Sequence, residues 1–116
     1  MIKRAGEYQV DHNENMRDGE GVVRLSHLLS KEEFLGKGRL FSELRIEPGA
    51  SIGYHLHENE QETFFILSGE ALYNDNGTEV VLKAGDVALC KDGEHHGIKS
   101  IGNETLVFLG LITYTN

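Results

Sequence analysis

The chain has 116 residues, 39% of them hydrophobic, with a formal net charge of -8 at pH 7, which fits one domain around one core and leaves no room for a regulatory module. No cationic run exceeds the Lys3-Arg4 pair, so the footprint that nucleic acid or an anionic membrane requires is missing. Cys90 has no second cysteine to pair with, and Met1 to Glu7 lacks the apolar stretch of a signal peptide; the expectation is a soluble, cytoplasmic protein whose partner is a small molecule or a second copy of itself.

Residues 1–38 read as an N-terminal arm of the same domain, carrying a first strand and a short helix. Asp11, Asn13, Glu14, Asn15, Asp18 and Glu20 make the first twenty residues polar and without period, which predicts a loose lead-in. Val22 to Leu25 suits a first strand. Ser30 and Glu33 have the spacing of a capping box, and Gly36 stops that helix after a turn or two.

From residue 39 to 116 the pattern changes to short β-prone runs punctuated by glycine, proline, asparagine and aspartate, as in a sandwich or small barrel. Strands are predicted at Arg39 to Glu47, Ser51 to His57, Glu62 to Leu67, Glu70 to Asn74, Glu79 to Leu82, Asp86 to Lys91, His96 to Ile101 and Thr105 to Thr113. Eight such strands match a jelly roll. Asp75-Asn76-Gly77 marks a tight hairpin, and Pro48-Gly49, Ser68-Gly69 and Ala84-Gly85-Asp86 mark further turns.

Chemistry concentrates in two glycine-framed segments. His55 and His57, two apart on a strand, project to one side, and Glu62 returns a carboxylate to that side if residues 58–61 form the hairpin loop. Gln61 takes its place if the loop is one residue shorter. Phe64 and Ile66 then share the face of Glu62. His96 recurs in the second segment. Three imidazoles and a carboxylate are borderline donors for Mn(II), Fe(II), Ni(II), Co(II) or Zn(II). They leave a divalent ion at net +1 with open positions, an arrangement that favours a small organic acid.

The series Gly49, His55, His57, Glu62, Gly69 resembles the first cupin motif at every defining residue. Gly85, Lys91, Gly93, His96, Ser100 is similar to the second, with Lys91 in place of its proline and Ser100 in place of its asparagine. The resemblance covers roughly Arg39 to Ile112 and implies the all-β cupin double-stranded β-helix, a jelly-roll barrel over residues 39–116, with His55, His57, Glu62 and His96 as metal ligands. Ser51 to His57 and Leu67 to Ala71 look like small single-domain bacterial cupins of the oxalate decarboxylase-like group. That likeness implies one divalent transition metal per chain, manganese first, then iron, nickel or zinc, and homodimerisation. Oxalate decarboxylases as a family are two-domain manganese enzymes with an acidic residue on a lid, and neither feature is present in this sequence. The activity is therefore not carried over with the ligands.

Three readings stand in order of preference: a manganese- or iron-dependent decarboxylase or dioxygenase acting on a small carboxylate, a metal-dependent binding protein without turnover, and a structural cupin. The charge of -8, together with Glu58 and Glu60 read as solvated loop carboxylates, opposes the approach of a dianion. Tyr54, Leu56, Phe65 and Leu67 face away from the ligands, toward a second sheet or subunit. Phe64, Tyr73 and Ile98 are placed to line a cavity. His95 reads as a surface or supporting residue, His12 and His27 as exposed histidines without a role, and Cys90 as a small buried hydrophobe.

Overall fold

Alternation of period two, with one side chain in and the next out, governs most of the chain, and a computed structural model describing residues Met1–Asn116 shows what it builds. The strands are β1 (Gln9–Glu14), β2 (Val22–Leu29), β3 (Gly38–Ile46), β4 (Ser51–Leu56), β5 (Glu60–Ser68), β6 (Glu70–Asp75), β7 (Thr78–Lys83), β8 (Val87–Cys90), β9 (His95–Ile101) and β10 (Leu106–Tyr114). The last eight correspond to the predicted strands, with ends shifted by at most two residues. Every pairing is antiparallel. One sheet has six strands in the order β1-β2-β3-β10-β5-β8, and the other has four in the order β4-β9-β6-β7.

The two sheets bury their facing sides against each other. Val23, Leu25, Leu44, Ile46, Phe64, Ile66, Leu106 and Phe108 from the larger sheet meet Ile52, Ala71, Tyr73, Leu82 and Ile98 from the smaller. Each large apolar side chain so buried contributes about 1.5–3 kcal/mol relative to exposure, and Phe64 and Phe108 pack edge to face at 4.7 Å between ring centroids. The chain passes from one sheet to the other at glycine corners. Gly49, Gly69, Gly85, Gly93 and Gly102 all have φ between 81° and 94°, a region where a side chain is strained. Asn76 (φ 52°) and Gly77 (φ 98°) form the tight turn of the β6–β7 hairpin.

Several expectations need correction. The closed jelly-roll barrel is not formed: β1 and β8 bound one sheet, β4 and β7 the other, and no ladder joins an edge of one to an edge of the other. The alternating pattern specifies strands and their buried faces but does not encode closure, which depends on pairing between distant edges. The short helix is a 3-10 turn, Glu32–Phe34. The Ser30 backbone N–H does donate to Glu33 Oε1 at 2.8 Å as in a capping box, yet Leu35 (φ 52°) and Gly36 (φ 78°) come immediately after, so no α-helical hydrogen bonding propagates.

The lead-in is also more ordered than its polarity suggests. β1 pairs along its whole length with β2, and His27 ties it down, with Nε2 2.8 Å from Asp11 Oδ2 and Nδ1 2.8 Å from Ser42 Oγ. His27 thus bridges three strands instead of standing exposed, and its hydrogen bond holds the Asp11 carboxyl below its ordinary value. The outward residues Tyr54, Leu56, Phe65 and Leu67 meet no second sheet and are 37–48% exposed.

Candidate metal centre

The register of the smaller sheet sets His55 on β4 directly opposite His96 on β9, while Glu62 comes from β5 of the facing sheet, beside Ile112 and Cys90. His57 lies just beyond the end of β4. It is fixed by two backbone bonds, its N–H to the Glu94 carbonyl at 3.0 Å and its carbonyl to the Gly93 N–H at 2.7 Å. One donor atom from each of His55, His57, Glu62 and His96 lies within 4.8 Å of the others. Their separations are 3.1 Å for His55 Nε2 to His57 Nε2 and 3.0 Å for His57 Nε2 to His96 Nε2. Glu62 Oε1 stands 3.1 Å from both His57 Nε2 and His96 Nε2. Gln61 is not part of this cluster.

The outer nitrogens determine what the inner ones can do. His55 Nδ1 donates to the Gly53 carbonyl at 2.6 Å, and His57 Nδ1 lies 2.6 Å from Glu60 Oε2. Both acceptors place the imidazole proton on Nδ1 and leave a lone pair on Nε2. His96 Nδ1 is 2.8 Å from the Tyr73 hydroxyl. The imidazole lone pairs of His55 and His57, the Nε2 of His96 and a carboxylate oxygen converge in a buried space, and the donor chemistry fits a divalent metal ion between them.

Electrostatics follow from burial and from these neighbours. Burial, aided by the adjacent imidazoles and the Arg17 guanidinium, lowers the His55 pKa to about 4. For His57 burial acts downward, but Glu62 and Glu60 outweigh it and the net shift is upward. Burial would raise Glu62, yet His57 and His96, each 3.1 Å from its carboxyl, outweigh burial and lower it to about 2, so it is an anion in the folded protein.

Around the donors lies a supporting layer that sequence reasoning only partly anticipated. Glu60 is 9% exposed, not a solvated loop residue. It receives the Arg39 fork, Nε to Oε1 and Nη2 to Oε2, both at 2.8 Å, while the same Oε2 meets His57. The Arg39 hydrogen bonds hold its carboxyl below the usual range. The available signal was parity: β5 begins at Glu60, so Glu60 and Glu62 share a face. Tyr73, placed as a cavity residue, contacts His96 instead, and burial raises its hydroxyl pKa. Phe64 stacks on His96 at 5.0 Å, while His95 stacks on Tyr54 outside the cluster at 5.2 Å.

A cavity of about 50 Å³ opens onto His55, His57 and Glu62, walled by Leu25, Leu40, Leu44, Ile52 and Ile112 and flanked by Arg17 and Arg39. That volume is far below the roughly 300–1,000 Å³ of a drug-sized pocket and suits a ligand of a few heavy atoms. A larger concavity of about 460 Å³ beside Gly69, Lys83 and Asn103 brings no such donor set together. No helix is long and apolar enough to cross a membrane.

Comparison with known proteins places these features in context. The family described as Cupin domain matches residues 42–112. A Thermotoga maritima protein named oxalate-binding protein is 46% identical over 112 residues, 97% of this chain and 93% of the relative. A solved Thermotoga maritima structure, described as a predicted oxalate decarboxylase, superposes with a TM-score of 0.94 at 45% identity, covering 98% of this chain and 99% of that one. A putative sugar phosphate isomerase from Acidithiobacillus ferrooxidans superposes with a TM-score of 0.81 at 25% identity, covering 97% of this chain and 74% of that one.

Proposed function

This chain belongs to the cupin family, and on that premise we propose that it binds a small carboxylate of the oxalate class at one divalent transition-metal ion held by His55, His57, Glu62 and His96. The observation that carries the reading is the convergence of three imidazole Nε2 atoms and Glu62 Oε1 within 4.8 Å of one another, with His57 Nε2 3.0–3.1 Å from each of the other three. That donor set of three imidazoles and one carboxylate suits manganese first, then iron, nickel or zinc. When bound, the ion supplies positive charge and open positions for carboxylate oxygens. The names of the Thermotoga maritima relatives support oxalate as the acid, and the cavity of about 50 Å³ favours an acid of a few heavy atoms.

Binding without turnover is favoured over decarboxylation or oxygenation by one feature. Neither Glu60 nor Tyr73 is a free acid or base, because Arg39 and His57 occupy the Glu60 oxygens and Tyr73 is turned to His96. The decarboxylase or dioxygenase reading predicts formate, carbon dioxide or oxygen uptake from loaded protein. The outward apolar residues Phe65, Leu67, Val87 and Leu89, 39–62% exposed, support a homodimer that light scattering would detect. The unpaired Cys90 supports a reducing, cytoplasmic setting.

The test is metal analysis of protein purified without chelator or histidine tag, with calorimetric titration of oxalate. We expect manganese near one per chain, oxalate binding that depends on it, and loss of most metal in folded His96→Ala protein. Full metal occupancy in that variant would refute the ligand set, and loaded protein that ignores oxalate would refute the substrate class.

A further inference from the structure

The mouth of the metal site carries a cation that no protein group neutralises. Arg17 lines the same cavity as His55, His57 and Glu62. The other guanidinium there, Arg39, is held by both oxygens of Glu60, but that of Arg17 makes no hydrogen bond or ion pair. Arg17 is exposed, and its guanidinium has five donors in a fork that matches planar oxygen acceptors.

The backbone that presents Arg17 is held in place firmly. Its φ of 54° and ψ of 40° lie in the left-handed region, and Asn15 (φ 51°) and Asp18 (φ 64°) are left-handed as well. Such residues persist only where the surroundings enforce them. Here the Met16–Asp18 turn is pressed onto β4 through two glycines. A Cβ on Gly53 would lie 1.9 Å from the Arg17 carbonyl oxygen, and one on Gly19 would lie 2.3 Å from the Ser51 carbonyl oxygen. Reciprocal bonds complete the clamp, Ser51 N–H to the Glu20 carbonyl at 2.8 Å and Glu20 N–H to Ser51 Oγ at 3.0 Å. The turn that carries Arg17 is thus fixed to the strand that carries His55.

We propose that Arg17 sets the specificity of the site for dicarboxylates, holding an outward-facing carboxylate oxygen of an acid whose remaining oxygens face the metal donors. The inference rests on the metal-and-carboxylate reading above and narrows it. A monocarboxylate that turns its one charged group toward the metal leaves Arg17 unneutralised, whereas a two-carbon dicarboxylate presents oxygens to both. In a chain of net charge -8, this arginine also offsets the repulsion that a dianion meets on entering.

Calorimetric titration of oxalate and of acetate into manganese-loaded wild type, Arg17→Gln and Arg17→Lys, with metal content measured in parallel, tests this. Arg17→Gln should retain about one manganese per chain, bind oxalate roughly ten- to hundred-fold more weakly and bind acetate as before. Arg17→Lys should fall between, because the charge remains and the planar fork is lost. Unchanged oxalate affinity in Arg17→Gln would overturn the role of Arg17 and leave the carboxylate reading standing. Loss of metal from that variant, or an equal loss for acetate and oxalate, would likewise overturn a specificity role. Wild type that takes up no manganese, or that takes it up and binds neither acid, would overturn both.

Discussion

Replacing Glu60 by glutamine removes one charge and almost no volume, yet neither orientation of the amide preserves all the contacts that the carboxylate makes. In the wild type Glu60 Oε2 meets both His57 Nδ1 at 2.6 Å and Arg39 Nη2 at 2.8 Å, while Oε1 accepts from Arg39 Nε at 2.8 Å. If the amide oxygen takes the Oε2 position, the amide NH2 faces the Arg39 Nε–H donor; the reverse orientation sets it against His57 and Arg39 Nη2. Either way donors oppose each other beside a guanidinium left without its anion. Breaking a buried pair by removing one partner costs about 3–5 kcal/mol. The Arg39 side chain is 33% exposed, so water relieves part of that, and about 1–3 kcal/mol is expected in metal-free protein. The His57 ring also loses the carboxylate that fixes its tautomer, which lowers metal affinity by about 10–100-fold. Urea unfolding of the apo protein measures the first quantity, and competition with a chelator of known affinity measures the second. Wild-type manganese affinity in Glu60→Gln would show that His57 is oriented without this carboxylate and refute the reasoning.

Two other expectations concern regions beside the donors. Gly53→Ala places a methyl group into the Arg17 carbonyl oxygen, 1.9 Å away, and should destabilise the fold by about 1–3 kcal/mol; tryptic cleavage after Arg17 should accelerate, and a cleavage rate equal to wild type would argue against the clamp. Cys90 is 2% exposed and burial pushes its thiol up to about 12, so a thiol reagent at neutral pH should label it only on unfolding, whereas rapid labelling of native protein would contradict its burial.

The strands and the donor cluster are legible in the sequence because their information is local. His55 and His57 declare their common face by spacing, and the apolar neighbours Phe64 and Ile66 declare that of Glu62. β1 is not legible, since five of its six residues are exposed and it is held by backbone pairing and the His27 to Asp11 contact, neither of which leaves a hydrophobic period. Glu60 reads as a loop residue because β5 begins two residues earlier than its apolar run suggests. Arg17 is hidden for a different reason: a left-handed arginine is fixed by glycines 2 and 36 residues further along, a relation visible only once the strands are assembled. Sheet closure fails as an expectation because alternation says which way side chains point, not which edges meet.

The donors are drawn from both layers, three histidines associated with the smaller sheet and Glu62 from the larger. An ion bound there would act as a calliper across the interior, fixing the gap between the layers at one end through its short ligand distances while apolar side chains set it elsewhere. Substitutions at Leu44, Ile46 or Phe108 that thicken or thin the core should therefore register as altered metal affinity before they register as unfolding. Outlying strands such as β1 and β7 contribute no donor and can change without disturbing that gauge.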